Sequence, residues 1–510
     1  MNNTAVIVKI RNVKKHSNAD RLQIGEVLGT QVIVGLDTVE EELGIYFDSN
    51  LQLSEEFAKA NDLIRRTDEN GNKAGGMFDD NRKVHTQKLR GEKSDGFWCG
   101  VKYLEFTKYD ISKLKEGFEF VELNSVPICN KYISKKTQKQ ISDNKNKKDK
   151  KQFKVPLTVF PENPDTEHLI KHLQDIPNNK TIIISEKCHG TALRFGNVKV
   201  NKSLNWWQEL LYKIGIKVDT SEYKNIVGSH HVVKTDLIVE RLVSFEKYWI
   251  DKRLDLKKAW FKEFYKEYFK SDISEELFRD IFPLDNEDAN IYNNFSFFEN
   301  KLNIPIDTFK NWIFANYYNS NTGFYSKDIW TEAAQCLKGK LHKNELIYGE
   351  VCGWLNNDSA IMGVYDNKKM GKEFVKKYGD KTIFSYGAEK GKHKLFIYRI
   401  TMSNGDGFEL DYSWDNLKQR CEELGVEHVP ELAIMNSFEF FEDKRVFMDK
   451  IEGLVVGCST LDPTHLREGV CVRVDDGLNM KVFKHKSFDF KLLEGIIKLD
   501  ENFVDVEESN

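Results

Sequence analysis

The residues best suited to chemistry are Glu186-Lys187-Cys188-His189-Gly190-Thr191, directly after the apolar run Thr181-Ile182-Ile183-Ile184-Ser185. Such a β-branched run reads as a strand. Burial penalises the ammonium form of a lysine. A neutral amine can attack the phosphorus of a nucleotide and form a covalent lysyl-nucleotide. Gly190 would let the backbone come close to the phosphates. Lys-x-x-Gly alone is a weak signal. The chain repeats it at 73–76, 368–371, 376–379 and 450–453, and Lys93-Ser94-Asp95-Gly96 is an even fuller form.

What distinguishes Lys187 is the order of residues behind it. Ile226-Val227-Gly228-Ser229-His230-His231 comes first. Glu345-Leu346-Ile347-Tyr348-Gly349-Glu350-Val351-Cys352-Gly353 follows, then Lys394-Leu395-Phe396-Ile397-Tyr398-Arg399-Ile400. Last come Arg467-Glu468-Gly469-Val470-Cys471-Val472-Arg473, the turn Asp475-Asp476-Gly477, and Met480-Lys481-Val482-Phe483-Lys484-His485-Lys486. Asp-Gly between alternating apolar runs signals a hairpin. Lys484 and Lys486, two apart on a strand, project from one face.

The elements that must position these residues are α+β in character. A chain of 510 residues allows about two to four domains, and 40% hydrophobic residues supply their cores. The net charge of −4 gives no bulk attraction to nucleic acid, so any such surface must be a local basic patch. Eight cysteines without a Cys-x-x-Cys pair argue against a zinc site or a disulfide framework and fit a reducing compartment. The start, Met1-Asn2-Asn3-Thr4-Ala5-Val6, lacks the regions of a signal peptide, and no apolar stretch approaches the ~20 residues of a membrane helix. The expectation is a soluble protein of the cytoplasm or another reducing intracellular compartment.

Residues 1–125 show short alternating runs such as Val6–Ile10 and Gln31–Gly35, broken by polar turns. His16-Ser17-Asn18-Ala19-Asp20-Arg21-Leu22 and Lys88-Leu89-Arg90-Gly91-Glu92-Lys93-Ser94-Asp95-Gly96 resemble two segments of tRNA-binding OB modules. That likeness implies a β-barrel whose face tracks an RNA backbone, and it makes Lys93 part of a barrel turn. Residues 126–154 read as a lysine-rich linker. Asp143–Lys151 is too polar to order itself, and a phosphate-binding arm is the sharper alternative. A second domain is expected over 155–510, starting near Val155-Pro156. Inside it, about 244–314 reads as a helical insertion, because the aromatics of Lys257–Phe269 recur at helical spacing. That stripe suits a core better than a base-stacking surface.

Taken in order, these pieces resemble ATP-dependent RNA ligases that carry an amino-terminal OB domain ahead of the nucleotidyltransferase domain, the type called RNA ligase family 5. The resemblance implies an α+β fold in which the OB barrel precedes an ATP-grasp-like nucleotidyltransferase domain of antiparallel sheets and helices. It sets Lys187 on the adenylated lysine of motif I, with Glu186 and Gly190 beside it at the nucleotide. Glu350 falls on motif III, Tyr398 on the aromatic of motif IIIa, Glu468 on motif IV, and Lys484 and Lys486 on motif V. The implied roles fit the residue types. Lys484 and Lys486 would hold the α-phosphate oxygens of ATP. Glu350 would take a ribose hydroxyl or a metal-bound water. Glu468, with Glu350, would position Mg²⁺, for which Mn²⁺ can substitute. Tyr398 would stack on adenine, with Phe396, on the same strand face, as its replacement. Glu452 rivals Glu468, but only a short hairpin separates Glu468 from Lys484. The segment from Phe160 to His168 resembles the part that encloses the purine, or is a plain connecting loop.

The chain departs from the pattern at three places. Motif Ia usually carries an arginine where Ser229-His230-His231 stands, and histidine cannot copy a bidentate guanidinium. Arg399 follows Tyr398 where an acidic residue is common. His189 replaces the aspartate often found before the motif I glycine, and an imidazole beside the nucleophile could titrate near neutrality. The expected activity is the sealing of RNA 3′-hydroxyl and 5′-phosphate ends through lysyl-AMP and an adenylated 5′ end. The competing readings are an mRNA-capping guanylyltransferase, a DNA ligase, and a non-catalytic RNA-binding adaptor.

Overall fold

The computed structural model describes residues 3–67, 73–134, 137–139, 155–163, 165–202, 204–236, 254–281, 302–313, 325, 328–404, 406–440, 443–476 and 479–498. The β-branched run Thr181–Lys187 is a strand. It lies within a five-stranded sheet, antiparallel to Gly469–Asp476 on one side and Glu431–Asn436 on the other. Gly469–Asp476 forms the expected hairpin with Asn479–Lys486. The short strand Glu167–His168 runs parallel to that last strand at the sheet's edge.

After three residues the chain enters a second sheet. Thr191–Asn201 pairs antiparallel with Ser221–Gly228 and with Glu345–Gly353, and Glu345–Gly353 pairs with His393–Ser403. Lys187 therefore ends one sheet and Thr191 begins the other. The turn between them is pinned at both ends by strand pairing, which fixes the lysine between the two sheets. Behind the second sheet, Leu193, Phe195, Ile347, Phe396 and Ile397 share a core with Trp330 and with Trp414 and Leu417 of the helix Trp414–Leu424. Ser413 caps that helix at its start and Gly425, at φ 69°, ends it.

The amino-terminal strands form a four-stranded sheet, a three-stranded sheet and smaller pairs; no closed barrel is traced among the described residues. Cys129–Lys131 pairs with Leu51–Leu53, so this pairing continues to Lys131. Asp143–Lys151 lies outside the described residues. The first strand, Ala5–Lys9, is buried on both faces. Ala5 and Ile7 pack with Phe47, Phe57 and Phe97. Val6 and Val8 pack with Ile182, Ile184, Val470 and Val472, on the back of the Lys187 strand. Lys171 Nζ lies 2.8 Å from Asp48 Oδ2 beneath the same surface, and Lys491 pairs with Asp95. The amino-terminal unit and the five-stranded sheet thus share one core.

In the expected insertion, helices span Leu254–Phe269, Glu275–Ile281 and Ile306–Ile313. Phe261 and Phe264 meet Phe309 edge-on at 5.8 and 4.9 Å, so part of the aromatic stripe is core. Residues 237–253, 282–301 and 314–324 of this region lie outside the described residues. None of the described helices is long and apolar enough to cross a membrane.

Candidate active site

Register assembles the site. Lys187 stands opposite Gly469, and Gly469 stands opposite Lys486, so the two lysines flank one glycine across three strands. A Cβ at Gly469 would sit 2.3 Å from the His485 carbonyl oxygen, which only glycine avoids. Lys187 Nζ lies 2.9 Å from Glu468 Oε1, and Lys486 Nζ lies 3.4 Å from the same oxygen and 3.2 Å from Glu494 Oε1. Lys484, two residues along the same face, stands opposite Cys471. Lys187, Lys484, Lys486, Glu350, Tyr398 and Arg473 line a cavity of about 730 Å³, a size that suits a nucleotide.

Glu468 is 1% exposed and lies behind the two lysines rather than on the cavity wall. Neither of its oxygens has a hydrogen-bond partner among the described residues, so ion pairs alone balance its charge. Glu350 is on the wall, and its Oε1 accepts a hydrogen bond from the Gly190 N–H at 3.1 Å. Carboxylate oxygens of this kind are what Mg²⁺ and Mn²⁺ take, so the site fits such an ion. Glu350, on the wall, would hold it, whereas Glu468 is engaged by Lys187 and Lys486. Glu452 is elsewhere: it bonds His485 Nε2 at 2.7 Å, on the face of the strand opposite to Lys484 and Lys486.

Gly190 and Glu186 have structural partners. A Cβ on Gly190 would stand 2.3 Å from the Val351 carbonyl oxygen and 2.8 Å from Cys352 Sγ. The glycine is needed for contact with the Glu350 strand, not only for access to phosphate. Glu186 is buried, and its Oε2 accepts from Thr460 N and Oγ1 at 2.9 and 2.6 Å. Its residue borders the cavity, while its carboxylate anchors the loop before Glu468.

Tyr398 and Phe396 share the face of Glu350, and Phe396 stands directly opposite it. Tyr348 pairs with Arg399 and Gly349 with Ile397, so Tyr398 is an extra residue in a β-bulge. The bulge brings Arg399 onto that face as well, opposite Tyr348; Tyr398 reaches the cavity wall, and Phe396 is fully buried in the core. Burial, then the Glu350 charge, pushes the Tyr398 phenol far above its ordinary range. Arg399 is held by Asp411, Nε to Oδ1 at 2.6 Å, and lies over the Tyr348 ring at 5.0 Å. That pairing accounts for the basic residue after the aromatic.

The structure corrects the expectation for His189. The ring is buried among Phe384, Phe490 and Tyr365, and Nε2 is 2.6 Å from the Tyr365 hydroxyl. Burial drives its pKa down to about 4, so the ring is neutral at neutral pH. It does not titrate there beside Lys187.

Several wall residues gave little sequence signal. Arg473 shares the face of Gly469 and Cys471, and this alternation was its only clue. Its Nε bonds Asp475 Oδ1 at 2.7 Å, and its guanidinium lies 5.7 Å from the Trp414 ring. Trp414 itself comes from a helix start far along the chain. Asn50, Lys83 and Lys131 reach the same cavity from the amino-terminal unit.

Comparison with known proteins adds to this geometry. Residues 284–492 match the family model described as RNA ligase. The match includes Glu350, Tyr398, Glu468, Lys484 and Lys486 and begins after Lys187. The strand register described above brings Lys187 to the matched residues. No curated protein gives a significant match. Among solved structures, the chain is similar to Naegleria gruberi RNA ligase. A lysine-to-methionine variant with AMP and Mn is 12% identical, with 96% of this chain and 97% of that one covered and a TM-score of 0.47. A lysine-to-alanine variant with ATP and Mn gives 12%, 96%, 98% and 0.47 for the same quantities. The protein with pyrophosphate gives 12%, 96%, 97% and 0.46.

Proposed function

We propose that the protein is an ATP-dependent RNA ligase that joins 3′-hydroxyl and 5′-phosphate ends through a lysyl-AMP intermediate. The observation that carries this reading is the grouping of Lys187, Glu468 and Lys486 at one end of a cavity that also holds Lys484, Glu350 and Tyr398. Adenine stacks on Tyr398, a ribose hydroxyl meets Glu350, and Lys484 and Lys486 hold the α-phosphate oxygens. Lys187 Nζ passes a proton to Glu468, its nearest carboxylate, and attacks the α-phosphorus, and the bond to pyrophosphate breaks. Both motif V lysines already face the cavity, so charge developing on the phosphate meets fixed cations. A bound Mg²⁺ or Mn²⁺ would neutralise phosphate charge. AMP then passes to the RNA 5′-phosphate, and the 3′-hydroxyl displaces it. The amino-terminal unit acts as the OB-type module that holds the strand bearing that hydroxyl; Asn50, Lys83 and Lys131 on the cavity wall support this.

Incubation of the protein with Mg²⁺ and α-labelled ATP, beside α-labelled GTP and a Lys187→Ala variant, tests the reading. Label that survives denaturation, comes from ATP and is lost in the variant supports it. Label from GTP would point to a capping enzyme. Sealing of all-DNA nicks in preference to RNA would point to a DNA ligase. No label after pyrophosphate treatment, with RNA still bound, would leave the adaptor.

A further inference from the structure

The turn that departs from the motif Ia arginine pattern carries a second cluster. Glu162, His230 and His231 each offer one ligand atom, and the three atoms lie within 4.8 Å of one another. His231 Nδ1 is 2.9 Å from Glu162 Oε2, and His230 Nε2 is 3.8 Å from Asp165 Oδ1. Both histidines line the cavity that holds Lys187.

The cluster is held in place from beneath. Ser229 N donates to the Val232 carbonyl at 2.9 Å, and Val232 N donates to Ser229 Oγ at 3.3 Å, which closes the turn with both histidines at its tip. Arg194, 2% exposed, donates from Nε to the Ser229 carbonyl at 3.0 Å and from Nη1 to the Phe160 carbonyl at 2.9 Å. One buried guanidinium therefore ties the histidine turn to the loop carrying Glu162. Gly228 leaves room for it, since a Cβ there would stand 2.9 Å from Arg194 Nε.

From this arrangement the geometry points to a binding site for a borderline transition-metal dication, Zn²⁺ foremost, ligated by Glu162, His230 and His231 at the mouth of the catalytic cavity. Two imidazoles and one carboxylate are a donor set that suits Zn²⁺ and leaves a coordination position open. Mg²⁺, which prefers oxygen ligands, is disfavoured. The lack of paired cysteines argues only against thiolate ligation. Bonds of about 2.0–2.2 Å require the three atoms to draw together, and the side chains are 26–50% exposed. The open position takes a phosphate oxygen of the RNA strand, so a metal ion supplies the charge that an arginine supplies elsewhere. This last step rests on the ligase reading; the metal site itself does not.

The test is titration of EDTA-stripped full-length protein with Co²⁺, read by visible absorption, followed by displacement with Zn²⁺. The expected result is one equivalent bound, weakened about tenfold or more in Glu162→Gln and in His231→Asn. His230→Asn serves if either variant melts early. No cobalt absorption, or absorption unchanged in the variants, overturns the site and leaves a plain ion-pair cluster. RNA binding is then measured with a 5′-phosphorylated oligonucleotide, with and without one equivalent of Zn²⁺. Tighter binding in the parent protein and not in the His230→Asn/His231→Asn protein supports the phosphate role, and Zn²⁺-independent binding overturns it. The labelled-ATP assay separates the two readings. Adenylation without a cobalt signal sinks the metal site alone, and a cobalt signal without adenylation sinks the ligase reading alone.

Discussion

Lys187 Nζ lies 2.9 Å from Glu468 Oε1, a carboxylate only 1% exposed. In the proposed reaction this pair sets a proton acceptor against the nucleophile before any nucleotide arrives. Lys187→Ala should reduce lysyl-AMP formation by on the order of 10³-fold or more, to background. Glu468→Gln keeps the shape and removes the charge, and should slow adenylation by about 10²–10³ with the variant still folded. Retention of more than a tenth of the parent rate by Glu468→Gln in single-turnover labelling would remove Glu468 from the reaction.

Tyr398 and Phe396 should separate cleanly. Tyr398→Ala is expected to raise the KM for ATP about tenfold, as loss of a stacked base of about 1–3 kcal/mol implies, with little change in melting. Phe396→Ala should instead cost about 3–5 kcal/mol of stability. Steady-state kinetics and urea unfolding on both variants decide it; equal effects on KM would mean that Phe396 shares in the adenine contact.

Gly190→Ala places a methyl group against the Val351 carbonyl and Cys352 Sγ. Overpacking of this kind costs about 1–3 kcal/mol, and the Gly190 N–H bond to Glu350 should weaken with it. The variant should show a lower urea midpoint together with slower adenylation. An unchanged midpoint would show that the strand yields more easily than its pairing suggests.

His189 has a folded pKa of about 4, below the ordinary 6.5. Between those values the unfolded chain binds more protons than the folded one, so stability rises with pH across the window and is lost as pH falls from about 6.5 towards 4. His189→Asn should flatten the slope by up to about 1.4 kcal/mol per pH unit. Urea unfolding at a series of pH values reads this directly. The adenylation profile between pH 6 and 8 should carry no inflection from this ring, and one that vanished in His189→Asn would contradict the burial.

Much of the site was legible because strands have a period of two. The β-branched run before Lys187, the Asp-Gly hairpin and the same-face pair Lys484 and Lys486 follow from local pattern alone. The remainder depends on partners distant in sequence. Nothing near Tyr398 announces the bulge that sets Arg399 opposite Tyr348, and alternation does not reveal that Phe396 is sealed in the core while Tyr398 lines the cavity. His189 reads as a titrating ring until Phe384, Phe490 and Tyr365 close around it. Gly190 has a local reason and a distant one, and only the distant one is visible as a contact. Arg194 is silent in sequence because its partners are the backbone carbonyls of Phe160 and Ser229.

The first strand contributes Val6 and Val8 to the core that also holds Ile182, Ile184, Val470 and Val472, and Lys171 is paired with Asp48 beneath it. The boundary visible in the sequence is therefore not a seam in the folding energetics. These parts should unfold as one cooperative unit, giving a single calorimetric transition. Excising residues 1–125 would strip the back of the nucleophile strand, so loss of joining in such a truncate would report a collapsed scaffold as readily as a missing RNA grip. A point change at the half-buried Lys131 is the cleaner probe of that grip, because Lys131 is outside the common core, whereas Lys83 is only 3% exposed.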